Sequence, residues 1–165
     1  MSHTVTVTRT TTTTTTSAII INSGYLKSWP GLLKLAELIL GIVTVGIVSY
    51  YVNKYIRLVY SPEIFFLLMA VTFLVGTFLL LTSCLISIST ASIISKTIYE
   101  VVYHGFAFIL VLAASLTLVT EINHKRQNYY GGDYEPYFAA AIIGLVNAAL
   151  YLLSTIFALR SYRGL

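Results

Sequence analysis

Four long apolar runs, separated by short polar stretches, set the pattern of the chain: about 32–51, 64–86, 98–119 and 138–159. The shortest has 20 residues, which as a helix at ~1.5 Å per residue reaches roughly 30 Å, the thickness of a bilayer's hydrocarbon. The second and fourth runs contain no Asp, Glu, Lys or Arg. The pattern predicts an all-α integral membrane protein. Its spans, joined by short connectors, form an antiparallel bundle of four transmembrane helices. An even number of spans puts both termini on one side.

The first run, WPGLLKLAELILGIVTVGIVSYY, is the only one with a Lys and a Glu just inside its start. Pro30 fits the first turn, where its missing N–H costs nothing. Lys34 and Glu37 are three apart and share a helix face. They read as an ion pair near the interface, with both heads able to snorkel to water; a partner or lipid site is the sharper alternative. Glu100 and His104 stand four apart at the start of the third run, a spacing that suits a metal ligand pair or a proton relay. Lys96, four residues before Glu100, offers an ordinary ion-pair partner instead. The connectors are VNKYIRLVYSPE, SISTASIISK and TEINHKRQNYYGGDYEPY, with Pro62-Glu63 marking a helix start and Gly131-Gly132 a turn.

Composition supports the membrane reading. Of 165 residues 57% are hydrophobic and 10% charged, with mean hydropathy +0.84, against roughly a quarter charged in a soluble domain. The formal net charge is +4, but the basic residues flank the runs instead of forming a stripe, so no nucleic-acid partner is expected. Six of the ten fall on the terminal side (Arg9, Lys27, Lys34, Lys96, Arg160, Arg163) and four on the other (Lys54, Arg57, Lys125, Arg126). This excess favours cytosolic termini; an integral multi-pass protein of the plasma membrane or intracellular vesicles is expected. Tyr25, Trp29, Tyr99, Tyr103 and Tyr162 mark one membrane boundary. Tyr50, Tyr51, Tyr55, Tyr60, Phe65, Phe66 and the tyrosines of the third connector mark the other. Tyr137 reads as an anchor of that second belt. Tyr129, Tyr130 and Tyr134 are candidates for an extracellular contact surface, since Tyr is favoured in recognition.

Residues 1–24 open with Val-Thr alternation and seven consecutive Thr, too few apolar groups to offset the entropy of ordering, so a disordered cytosolic tail is expected. Residues 25–163 form the membrane domain. Ala18–Ile21 is too short for a signal-peptide core. Ala140, Gly144 and Ala148 repeat small residues every four positions, letting helix backbones approach closely, with Asn147 as a polar group facing inward. Gly41, Gly46 and Gly76 are packing candidates on the first two runs. Cys84, the one cysteine, reads either as a palmitoylation site or as a buried thiol. No nucleotide, hydrolase or zinc-protease motif occurs. No catalytic residue, metal site or cofactor is expected, and an enzyme is not. A channel or transporter subunit is disfavoured because the spans carry no line of polar residues.

The runs also resemble a family. PGLLKLAELILGI, FFLLMAVTFLVGTFLLL, FAFILVLAASLTLVTEINH and AAAIIGLVNAALYLLSTIFALRSYR, in that order, look like the spans of the MARVEL tetraspan proteins. These include the MAL, plasmolipin and chemokine-like-factor groups and, more distantly, synaptophysin- and occludin-type proteins. The Thr-rich head with SAIIIN and GYLKSWPGLLKL looks like an insect member associated with myoblast fusion. The resemblance implies a MARVEL-type bundle with cytosolic termini and no catalytic residues. It implies a role in vesicle traffic, membrane apposition, cell–cell fusion or cell junctions, with lipid, other membrane proteins or a second copy as partners.

Overall fold

The apolar runs become long helices in a computed structural model, which describes residues 22–54, 61–124 and 134–164. The tail before Asn22, together with Tyr55, Arg57, Tyr60, Lys125, Arg126, Tyr129, Tyr130 and Gly131-Gly132, lies outside the described residues. The helices are α1 (Trp29–Lys54), α2 (Ser61–Ile86), α3 (Ile88–Ile94), α4 (Ile98–His124) and α5 (Glu135–Arg163). Among the described residues four of them, with 26, 26, 27 and 29 residues, are long and apolar enough to cross a membrane. Each is longer than the run that announced it. The helices continue through the aromatic and charged flanks, because backbone at headgroup depth still gains from internal hydrogen bonds.

Around the bundle α1 packs on α2, α2 on α4, α4 on α5 and α5 on α1, a closed ring of four. The start of α1, the start of α4 and the end of α5 meet around one cleft lined by Pro30, Lys34, Ser95, Glu100 and Ser161. The end of α2 joins them through the Asn22 N–H, which donates to the Leu85 carbonyl at 2.7 Å. That is the terminal end of the bundle.

Two local features differ from the expectation. The lead-in to α1 is ordered: Ser23–Lys27 forms a 3-10 turn, so Ser23 and Gly24 belong to the bundle and not to the tail. The Ser28 hydroxyl donates to the Tyr25 carbonyl at 2.6 Å and accepts from the Gly31 N–H at 3.3 Å. The connector SISTASIISK contains α3, whose first turn is capped by Ser87 Oγ accepting from the Thr90 N–H at 3.2 Å.

The bundle is apolar outside, and it holds a set of polar and charged side chains inside an otherwise apolar core. Ile39, Ile42, Leu68, Phe78, Phe106 and Ile109 face outward, while Lys34, Glu37, Glu100, His104, Asn147 and Ser154 are buried. A hydrocarbon surround makes this the favourable arrangement, since polar groups must find partners within the protein.

Small residues let the helices close on one another. Ala140, Gly144 and Ala148 all lie on the buried face of α5. A Cβ on Gly144 would stand 2.5 Å from Ser115 Oγ and 2.8 Å from the Phe66 ring. One on Gly76 would stand 2.7 Å from the Tyr103 hydroxyl, and one on Gly41 3.1 Å from Leu74. Gly46 differs: it is exposed, with open space where a Cβ would be, so it serves no contact inside the bundle. Tyr137 is fully buried in the core at the end opposite the termini, with Tyr51 at 5.8 Å between ring centroids. It fills the bundle instead of anchoring the interface. Trp29, Tyr50, Tyr99 and Tyr162 remain exposed, as belt residues should. Tyr134 is half-buried and packs against the same part of the core.

Candidate functional site

The charged side chains of the first and third runs converge in the interior instead of lining the interface. Lys34 is 1% exposed and Glu37 and His104 are 0% exposed. The helical periods explain the convergence. Lys34 and Glu37 share the inward face of α1 with Gly41, Thr44 and Val48. Glu100 and His104 share that of α4 with Ala107 and Val111. Ser154 and Asn147 stand two turns apart on the inward face of α5.

The pairing differs from the sequence expectation. Lys34 Nζ bonds the Glu100 carboxylate on α4 and donates to the Tyr25 hydroxyl at 3.1 Å. Neither predicted interfacial pair stands: Glu37 faces α4 and α5, and Lys96 is exposed while its intended partner is buried with Lys34. A buried charge needs a partner held at bonding distance, and an exposed Lys96 beside water gains little from one. Tyr25 completes the shell around the Lys34 ammonium. Burial pushes its phenol up to about 12, with Lys34 pulling the other way, so it is a neutral hydroxyl.

Glu37 Oε1 accepts from Ser154 Oγ at 2.5 Å, and its backbone carbonyl from Asn147 Nδ2 at 3.4 Å. Its Oε2 points at His104 Nε2, 3.8 Å away. The other ring nitrogen, Nδ1, lies 2.8 Å from the Glu100 carbonyl. One network therefore fastens α1 to α4 and α5, with the lead-in as a fourth member.

A second polar layer lies deeper. Tyr103 from α4 and Tyr151 from α5 each place a hydroxyl 2.8 Å from Thr77 Oγ1 on α2. The Tyr103 hydroxyl also donates to the Phe73 carbonyl at 3.0 Å. Tyr103, assigned to the aromatic belt by its position, is turned into the bundle over Gly76. Next to this layer a cavity lined by Gly41, Thr44, Phe66, Gly144, Asn147 and Tyr151 has about 10 Å³ of room for a water's centre, one water's worth.

Sequence reasoning missed Gly31 and Ser154, the contact of Tyr25 with Lys34, and the joining of Glu37 to His104. Glu100 and His104 stood out by their spacing, but Glu37 comes from another span. The one available signal was that every charge inside an apolar run sits near the same end of the bundle. Cys84 is free and buried, which removes the access that acylation needs. Among the described residues no group of three or more His, Cys, Asp or Glu could hold a metal.

A sequence model of the MARVEL family, described as a membrane-associating domain, matches residues 25–157. No curated protein matches the chain. No solved structure matches it.

Proposed function

Because the chain belongs to the MARVEL family of membrane-associating domains, a multi-pass protein with four apolar helices, we propose that it is a non-enzymatic organiser of membranes. It gathers lipid and partner proteins where two membranes meet, as in cell–cell fusion. The observation that carries this reading is the bundle's division of surfaces: the charged side chains within the spans are bonded inside it, and its outer face is apolar. What such a surface offers is a shape that lipids and other spans pack against. The mid-bundle cavity holds about one water, which supports a packed core over a conduction path. The particular role in myoblast fusion rests on the likeness of the head and lead-in to the insect member called singles bar. The termini face the cytosol, on the charge excess.

Imaging of tagged protein, with loss of function in fusing cells, tests the reading. Arrest after adhesion and before pore opening is expected. Fusion that proceeds normally contradicts it, and defective sealing between cells moves the role to junctions, acting through the outer connectors.

A further inference from the structure

Two fully buried polar atoms face each other with no hydrogen-bond partner among the described residues: Glu37 Oε2 on α1 and His104 Nε2 on α4, 3.8 Å apart. Their neighbours fix what each can do. His104 Nδ1 lies 2.8 Å from the Glu100 carbonyl. A carbonyl only accepts, so Nδ1 carries the hydrogen and the neutral ring presents a lone pair at Nε2. Glu37 uses its other oxygen to accept from Ser154. An ionised Glu37 would therefore aim a second acceptor at that lone pair. One proton, on either atom, turns the meeting of two acceptors into a donor facing an acceptor.

Charge balance points the same way. Lys34 and Glu100 are directly bonded and cancel. The other groups around the pair are Tyr103 on α4, its ring 5.0 Å from the imidazole, and Tyr151 on α5 at 6.2 Å. Beyond Lys34 stand Tyr25 in the lead-in and Cys84 on α2. None of these is a second cation. With Glu37 ionised and His104 neutral, the cluster of Lys34, Glu37 and Glu100 would carry a net charge of +1 − 2 = −1, which a hydrocarbon surround strongly disfavours. A retained proton brings the sum to zero. The cleft at the terminal end is lined by Lys34, Glu100 and Ser154, so it abuts the network.

We propose that Glu37 and His104 form a proton-binding site that holds one exchangeable proton between α1 and α4. The site is independent of the membrane-organising role. Removing its proton leaves two acceptors and an unbalanced negative charge at the junction of α1, α4 and α5, and loosens that junction.

The test uses the full chain in lipid nanodiscs. Infrared difference spectra across pH report the carbonyl stretch of a protonated carboxylic acid, and nitrogen NMR reports the His104 ring. His3→Gln and His124→Gln remove the other two histidines. The expected result is one bound proton per chain, seen either as a protonated Glu37 or as a doubly protonated His104, and lost on alkalinisation. Glu37→Gln should abolish that titration while keeping the bundle folded, because its amide N–H can donate to Nε2. An ionised Glu37 beside a neutral His104 at every pH at which the wild-type bundle is folded overturns the proposal, whatever the variant does. An unchanged titration in a folded Glu37→Gln overturns it too.

Discussion

At the scale of the residue, the same residue type does different work depending on the face it occupies. Gly144 and Gly46 both sit within apolar helices, yet a Cβ meets Ser115 and Phe66 at the first and nothing at the second. Gly144→Ala should cost about 1–3 kcal/mol through overpacking. Gly46→Ala should be neutral or stabilise by up to ~1 kcal/mol through helix propensity. Reversible unfolding in mixed micelles checks both. The four-residue repeat of Ala140, Gly144 and Ala148 made the first legible in the sequence. Gly41 shares a face with Lys34, Glu37 and Thr44 and Gly46 does not, but that spacing separates the two glycines only once the polar face is known to point inward. Lys34 and Glu37 were legible as unusual, but not their partners. Spacing along one helix ranks neighbours on that helix, and in a membrane interior a partner from another span wins by removing both charges from hydrocarbon.

At the scale of the element, the four spans were readable from hydropathy because a length of about 20 apolar residues has one physical meaning. The short pieces were not. The α3 segment reads as polar, yet hydroxyls in it and just after it bond to its own backbone: Ser92 Oγ donates to the Ser89 carbonyl at 2.8 Å, and Thr97 Oγ1, three residues past its end, to that of Ile94 at 2.8 Å. Polarity turned inward in this way suits a helix at the membrane surface. Ser87→Ala should cost the α3 cap about 1 kcal/mol, read as faster amide exchange across Ile88–Ile94 with the long helices unchanged. The lead-in depends on Gly31, where a Cβ would stand 2.1 Å from the Tyr25 carbonyl. Gly31→Ala should displace the 3-10 turn and with it the Tyr25–Lys34 contact, so that Tyr25 becomes reactive to a water-soluble phenol reagent. A Tyr25 as protected as in the wild type would contradict that dependence.

At the scale of the whole molecule, the charges divide into those that orient the bundle and those that hold it together. Lys34 was counted as a flanking charge but is buried. Without it the excess on the terminal side falls from six against four to five against four. Orientation is thus set by a slim margin in basic residues, and labelling decides it. In a Cys84→Ser background, Ser23→Cys and Ser161→Cys should react with an impermeant thiol reagent from the cytosolic side, and Asn53→Cys from the opposite side. The reverse pattern would invert the topology and leave the bundle as it is.

The central claim is that the charges of the first and third spans form one interior network that fastens the bundle. The coupling between Lys34 and Glu100 tests it most directly. A double-mutant cycle with Lys34→Met and Glu100→Leu, followed by reversible unfolding in lipid, should show each single variant losing about 3–5 kcal/mol, because each strands a buried charge. The double variant should recover much of the loss, with a coupling of about 2–3 kcal/mol. Single losses under ~1 kcal/mol that simply add, the signature of charges resting at the membrane surface, would contradict it.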